Sequence, residues 1–123
     1  MATILIIDDE AKLRETICEM LSFAGYDVFQ AENGVEGLEK VAQLLPNIII
    51  CDIMMPVLDG YGFIKQHQCS NYSHIPVLFM TAKVEQKDVE NGITKGVRGY
   101  IKKPFLFKEL KRLIEFHLSF EKN

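Results

Sequence analysis

The sequence carries no excess of basic residues, no paired cysteine motif and no long apolar run, and each absence removes a class of function. With 14 Lys and Arg against 17 Asp and Glu, the net charge is −3. That leaves no positive footprint for a phosphate backbone, so a nucleic-acid role would need a partner or another domain. The three cysteines, Cys18, Cys51 and Cys69, form no C-x-x-C pair and leave one thiol odd. This pattern fits a reducing compartment, with Cys18 and Cys51 as small buried hydrophobes inside apolar runs. No apolar stretch approaches the roughly 18 residues a membrane span needs. Only Met1-Ala2-Thr3 precede the first apolar run, with no basic segment or cleavage site. The expectation is no signal peptide, no membrane insertion and a cytoplasmic setting. No glycine-rich phosphate cradle follows that first run, which argues against a nucleotide-binding domain.

What is present reads as one compact domain over residues 1–123, with an ordinary 48% hydrophobic and 25% charged composition. Three apolar runs, Ile4-Leu5-Ile6-Ile7, Ile48-Ile49-Ile50-Cys51 and Val77-Leu78-Phe79-Met80, are continuous rather than alternating. Strands buried on both faces of a parallel sheet read this way. Tyr26 to Ala31 mixes polar and apolar residues, as an edge strand would, and Tyr100-Ile101 is a shorter fifth run.

Helical spacing fills the intervals. Leu13, Ile17, Met20, Leu21 and Ala24 recur at three and four residues, with Gly25 as a stop. Asn33 is placed to cap a helix bearing Val35, Leu38, Val41, Ala42 and Leu45, closed by Pro46. A third helix is expected after Gly60, a fourth from near Glu85 to Gly96, and a last one with Leu106, Leu110, Leu113, Ile114 and His117 on one stripe. Five β-α repeats with no linker imply a doubly wound α/β fold. The expected architecture is flavodoxin-like (βα)5, with a five-stranded parallel sheet of order 2-1-3-4-5.

The polar residues fall where such a sheet binds ligands, at the carboxyl ends of its strands. The first run leads into Asp8-Asp9-Glu10, the third strand ends at Asp52, the fourth at Thr81, and the fifth at Lys102-Lys103-Pro104. Two carboxylates about 5 Å apart repel by roughly 3 kcal/mol at an effective dielectric near 20. A cluster of this kind wants a hard cation with oxygen ligands, and Mg²⁺ (or Mn²⁺) fits. A carboxylate nucleophile, a hydroxyl donor and an ammonium around one point form a set suited to phosphoryl transfer. Asp52 would be the nucleophile, Thr81 the hydrogen-bond donor and Lys103 the point charge.

These segments resemble the receiver domains of bacterial response regulators, including the single-domain chemotaxis and sporulation types. IIDDE, DIMMPVLDG, MTA and GYIKKPF carry the resemblance, in order and along the whole chain. The resemblance implies a phosphoacceptor switch of a two-component phosphorelay, not a turnover enzyme, that assists its own phosphorylation and slow dephosphorylation. Asp52 would receive a phosphoryl group from a phosphohistidine on a sensor histidine kinase or phosphotransfer protein. Asp9 would bind the metal directly, Asp8 largely through water, with Asp52 and the backbone carbonyl of Met54 completing the set. Thr81 and Tyr100 would form the switch, changing the surface made by the fourth helix, the fifth strand and the last helix. The Lys103-Pro104 bond would be a candidate for the cis form, and Met54 and Lys83 would tune the phosphate lifetime. Gly96-Val97-Arg98-Gly99 departs from the family's usual acidic lead-in to the fifth strand, so a dimer contact relying on that acid is in doubt. A monomer or a phosphorylation-linked dimer is expected, with an unspecified downstream target.

Plainer roles stand beside these. Asp8 and Asp9 could cap the first helix, Asp52 could start a turn, Thr81 could be an N-cap, and Tyr100 a half-buried strand aromatic. Lys102 reads as a solvated neighbour, and Pro56 with Asp59-Gly60 as loop shape. His67, His74 and His117 share no ligand spacing and read as surface or edge residues. Phe105, Phe107, Phe116 and Phe120 crowd the last helix, for core packing or a partner surface. Two rivals remain: a phosphohydrolase, which would usually show D-x-D where Asp52-Ile53-Met54 stands, and a receiver-like module that binds without phosphate.

Overall fold

A computed structural model describes residues 2–82 and 96–121. Five strands, β1 (Thr3–Ile7), β2 (Asp27–Ala31), β3 (Ile48–Asp52), β4 (Val77–Thr81) and β5 (Gly99–Lys102), form one sheet. Its order is β2-β1-β3-β4-β5, and all pairings are parallel. The helices among the described residues are α1 (Ala11–Phe23), α2 (Gly34–Leu44), α3 (Gly60–Gln68) and α4 (Phe107–Glu121). This is the flavodoxin-like arrangement the β-α alternation implies. The helix expected between Glu85 and Gly96 lies outside the described residues, as does Lys83.

The continuous apolar runs are explained by two cores, one on each side of the sheet. Side chains alternate along a strand. Leu5, Ile7, Ile49, Cys51 and Phe79 therefore face α2 and α3, meeting Val41, Phe63 and Ile64. Ile4, Ile6, Ile48, Ile50, Leu78 and Met80 face the other way, onto Ile17, Leu21, Leu110 and Ile114 of α1 and α4. Strand β2, at the edge, buries only Ala31 fully.

Local chemistry sets the element ends. Asn33 accepts the Glu36 N–H and Asp59 accepts the Gly62 N–H, so both helices start on a side-chain cap. Helix α1 ends before Gly25, whose φ of 102° only glycine takes readily. Leu106 is exposed just ahead of α4 rather than on its buried stripe, and its N–H is held by Glu109. Among the phenylalanines, Phe105 and Phe107 pack partly on the core while Phe116 is exposed; the side chain of Phe120 lies outside the described set.

One histidine reading is corrected. His67 is fully buried, stacked on Phe63, with Nε2 at 2.9 Å from the Ile75 carbonyl oxygen. It shares the stripe of Gly60, Phe63 and Ile64, so helical position overrode its polarity. His74 is exposed as expected, and His117 is half-buried beside Gly99.

Candidate functional site

The strand order reverses between β1 and β3, and the acidic residues stand at that crevice. The chain passes from the buried Ile7 straight to Asp8, which is fully buried, and then to Asp9, which is exposed. Asp52 closes β3 with only 7% of its surface exposed. Ligand oxygens of Asp8, Asp9 and Asp52 all lie within 4.8 Å of one another. At that separation a pair of carboxylates repels by about 3.5 kcal/mol at an effective dielectric near 20.

Each buried carboxylate is held at both oxygens. Asp8 Oδ1 accepts the Glu10 N–H at 2.9 Å, and Asp52 Oδ1 accepts the Ile53 N–H at 2.8 Å. Their Oδ2 atoms share one ammonium: Lys103 Nζ is 3.1 Å from Asp8 and 3.3 Å from Asp52. The lysine reaches this position because β5 ends at Lys102 and the Lys103 N–H bonds the Thr81 carbonyl oxygen at 2.7 Å. The following Lys103-Pro104 peptide is cis. Lys102 is exposed, so of the two lysines only Lys103 joins the carboxylates.

The titration behaviour follows from this geometry. Burial pushes the Asp52 carboxyl up to about 6; Lys103 draws it back and Asp8 pushes it further up. Burial disfavours the Lys103 ammonium, but Asp52 and Asp8 outweigh it and hold its pKa above the ordinary value. The neighbouring Cys51 thiol is driven well up by complete burial, then by Asp52 and Asp8, so it stays protonated and inert.

The loop after β3 wraps the site closely. Gly60 N–H bonds the Ile53 carbonyl oxygen, and a Cβ at Gly60 would stand 2.6 Å from the Asp52 carbonyl oxygen. Ile53 and Met55 are buried while the Met54 side chain is exposed to solvent. Val57 has φ of 70°, and the Leu58 N–H bonds the Pro56 carbonyl oxygen across it, a tight three-residue turn.

Thr81 and Tyr100 complete the edge. Asp52 pairs with Met80, which places the buried Thr81 one residue beyond. Tyr100 pairs with Phe79, and their rings meet edge to face at 5.9 Å between centroids. Phe79 and Thr81 point to the same side of β4, so Tyr100 lies one rung behind Thr81. The structure thus brings together Asp8, Asp9, Asp52 and Lys103, with Thr81 and Tyr100 on the adjoining strands. The three carboxylates form an all-oxygen donor set of the kind Mg²⁺ or Mn²⁺ prefers, so the residues present fit such an ion, with the Lys103 ammonium beside them.

Two contributing residues, Arg14 and its partner Gln30, were not singled out from the sequence. Arg14 is buried, and its Nη1 donates to the Asp8 carbonyl oxygen at 2.6 Å while its Nε donates to the Gln30 side-chain oxygen at 2.9 Å. The signal was available, since Arg14 lies on the stripe of Ile17, Cys18 and Leu21. A charged residue on an apolar stripe has to have partners inside.

Comparison with known proteins agrees with this geometry. A family model described as "Response regulator receiver domain" matches residues 4–115. Among curated proteins, "Probable transcriptional regulator ycf27" of Porphyridium aerugineum is 40% identical over 111 residues, covering 90% of this chain and 45% of that protein. "Response regulator MprA" of Mycobacterium sp. (strain KMS) is 37% identical over 107 residues, covering 87% of this chain and 46% of that one. The chain spans about half the length of these curated relatives. Among solved structures, Vibrio cholerae chemotaxis protein CheY4 superposes with a TM-score of 0.89 at 32% identity, over 94% of this chain and 98% of that one.

Proposed function

The chain belongs to the response regulator receiver domain family, and from that membership we propose that residues 1–123 act as a phosphoacceptor switch charged on Asp52. It is a receiver of the two-component regulatory system type, a class that in general works as a switch rather than as an enzyme. The observation that carries the proposal is the Lys103 ammonium bridging Asp8 and Asp52 at the end of a wholly buried strand. An ordinary turn aspartate would be solvated, with no reason to share an ammonium with a second buried carboxylate.

Receiver domains typically bind Mg²⁺ through acidic residues, and here Asp9, Asp52 and the Met54 carbonyl would hold it, with Asp8 acting largely through water. When bound, the ion supplies positive charge beside the phosphoryl oxygens. The remaining chemistry belongs to side chains. The Ile53 N–H fixes one Asp52 oxygen, which orients the carboxylate and leaves Oδ2 to attack phosphorus. A carboxylate O–P bond forms as the P–N bond of a phosphohistidine donor breaks, and its electron pair returns to the imidazole. Lys103 would pair with one phosphoryl oxygen, and the Thr81 hydroxyl would donate to another. The same groups assist the domain's own phosphorylation and slow hydrolysis.

The phosphoryl group adds roughly −1.5 to −2 charge at a sheet edge that already carries three carboxylates. Lys103 and Thr81 gain a partner there, and Tyr100 occupies the space behind Thr81. The equilibrium shifts towards the state with the better contacts, and the face made by the fourth helix expected from the sequence, β5 and the last helix α4 would carry the change. The donor is a sensor histidine kinase or phosphotransfer protein, and the state is a monomer or a phosphorylation-linked dimer.

Intact-protein mass spectrometry after incubation with acetyl phosphate tests this reading. A gain of about 80 Da, one phosphoryl group, is expected with Mg²⁺ and is lost with EDTA or in Asp52→Asn. No adduct under any condition, including a phosphohistidine donor, would leave a receiver fold that binds partners without phosphate.

A further inference from the structure

Arg14 is 7% exposed yet stands in no ion pair among the described residues. Burying a guanidinium is expensive unless its donors are satisfied, and its two recorded hydrogen bonds go to neutral oxygens. One acceptor is the Asp8 backbone carbonyl, at 2.6 Å, and the other is the Gln30 side chain, at 2.9 Å. The planar guanidinium therefore bridges the end of β1 to the edge strand β2, through two donors in a fixed relative geometry.

The Asp8 peptide is consequently fixed on all sides. Its N–H bonds the Ala31 carbonyl oxygen at 3.1 Å, its own carbonyl is held by Arg14, and its carboxylate is tied to the Glu10 N–H and Lys103. Gln30 is itself anchored: it pairs with Ile6 in the sheet, and its carbonyl oxygen accepts from Lys40 Nζ. The direction in which Asp8 and Asp9 leave β1 thus depends on a brace that starts at the edge strand. Asp9 is exposed and next in the chain, so its direction follows that of the Asp8 backbone.

We propose that Arg14, braced by Gln30, is a positioning residue that presents the Asp8 and Asp9 carboxylates to the divalent cation. It touches neither the cation nor the phosphoryl group. It acts by locking the Asp8 backbone, a gain that outweighs the repulsion its own charge exerts on a cation. This inference rests on the reading of Asp8, Asp9 and Asp52 as a cation site. Partners behind a metal's direct ligands typically change affinity 10- to 100-fold when removed, which sets the expected scale.

The test is calorimetric titration of the full chain with Mg²⁺ alone, well below the melting temperature of each variant. Arg14→Met is expected to weaken Mg²⁺ binding about tenfold or more. Arg14→Lys keeps the charge but not both bonds and is expected to fall between it and the parent. Lys12→Met removes the same charge from an exposed site on α1 and is expected to leave affinity unchanged. Gln30→Ala, at the half-buried edge, is expected to weaken binding several-fold with little change in melting temperature, and it decides the matter if Arg14→Met does not fold. In acetyl phosphate reactions the Mg²⁺ midpoint should rise while the rate at saturating Mg²⁺ stays within about twofold. Parent-like affinity in folded Arg14→Met, or in Gln30→Ala where that is the deciding variant, overturns the proposal. Equal losses in Lys12→Met and Arg14→Met also overturn it. Absence of Mg²⁺ binding by the parent chain instead removes the cation-site reading itself.

Discussion

At the residue scale, two buried polar side chains show how this fold uses polarity inside. His67 donates through Nε2 to the Ile75 carbonyl oxygen, and its Nδ1 is buried without a partner among the described residues. Protonation would create a second N–H with nothing to receive it. Burial accordingly lowers the His67 pKa below its ordinary 6.5, the Ile75 bond offsetting part of this and His74 adding to it. A depressed folded-state pKa means stability that is present above 6.5 and is lost as pH falls from there through the folded value. Denaturant melts of parent and His67→Gln between pH 4 and 8 should show a constant difference at the alkaline end. Below about pH 6.5 the parent should lose stability faster, and parallel curves throughout would contradict the assignment. Neither His67 nor Arg14 was singled out for a buried role from residue type alone. Both sit on apolar stripes, at i+3 or i+4 from Phe63 and Ile64 or before Ile17 and Cys18, and that position was the informative feature.

At the element scale, the site depends on where strands stop. Each buried strand changes from apolar to polar within one residue, as at Ile7 to Asp8 and Cys51 to Asp52, which is why the clustering of the acids with Lys103 was legible before any coordinates. What could not be read was closeness between elements distant in sequence. Gly60 begins α3 directly beneath β3, where a Cβ would meet the Asp52 carbonyl oxygen at 2.6 Å and the Ile53 Cα at 2.7 Å. Both are backbone atoms and cannot turn aside. Gly60→Ala is therefore expected to destabilise by about 1–3 kcal/mol, as overpacking does, and to slow phosphorylation by displacing Asp52. Chemical denaturation and the acetyl phosphate assay check the two effects. A neutral substitution would mean that the start of α3 can move away from β3.

At the scale of the whole molecule, two apolar cores hold a sheet whose one edge concentrates like charge. The fold thus tolerates a strained electrostatic arrangement, which a bound cation would relieve. Ligand binding to the folded state alone stabilises it by about 1.4 kcal/mol at ten times Kd, or about 5 °C for a chain of this size. Thermal melts should show such a rise with Mg²⁺, abolished in Asp9→Asn. Order and sheet topology were legible from the five β-α repeats because continuous apolar runs leave few alternatives to a parallel sheet. The membership of the chain in the receiver family agrees with that reading along residues 4–115.

The central claim is that Asp52 receives the phosphoryl group, and it is tested most directly by trapping the acyl phosphate. The chain is phosphorylated with acetyl phosphate and Mg²⁺, reduced with borohydride, digested, and sequenced by tandem mass spectrometry. Reduction converts an aspartyl phosphate to homoserine, so the account predicts homoserine at position 52 and nowhere else, absent when Mg²⁺ is omitted. Homoserine at Asp8, Asp9 or any other carboxylate, with Asp52 unchanged, would contradict it.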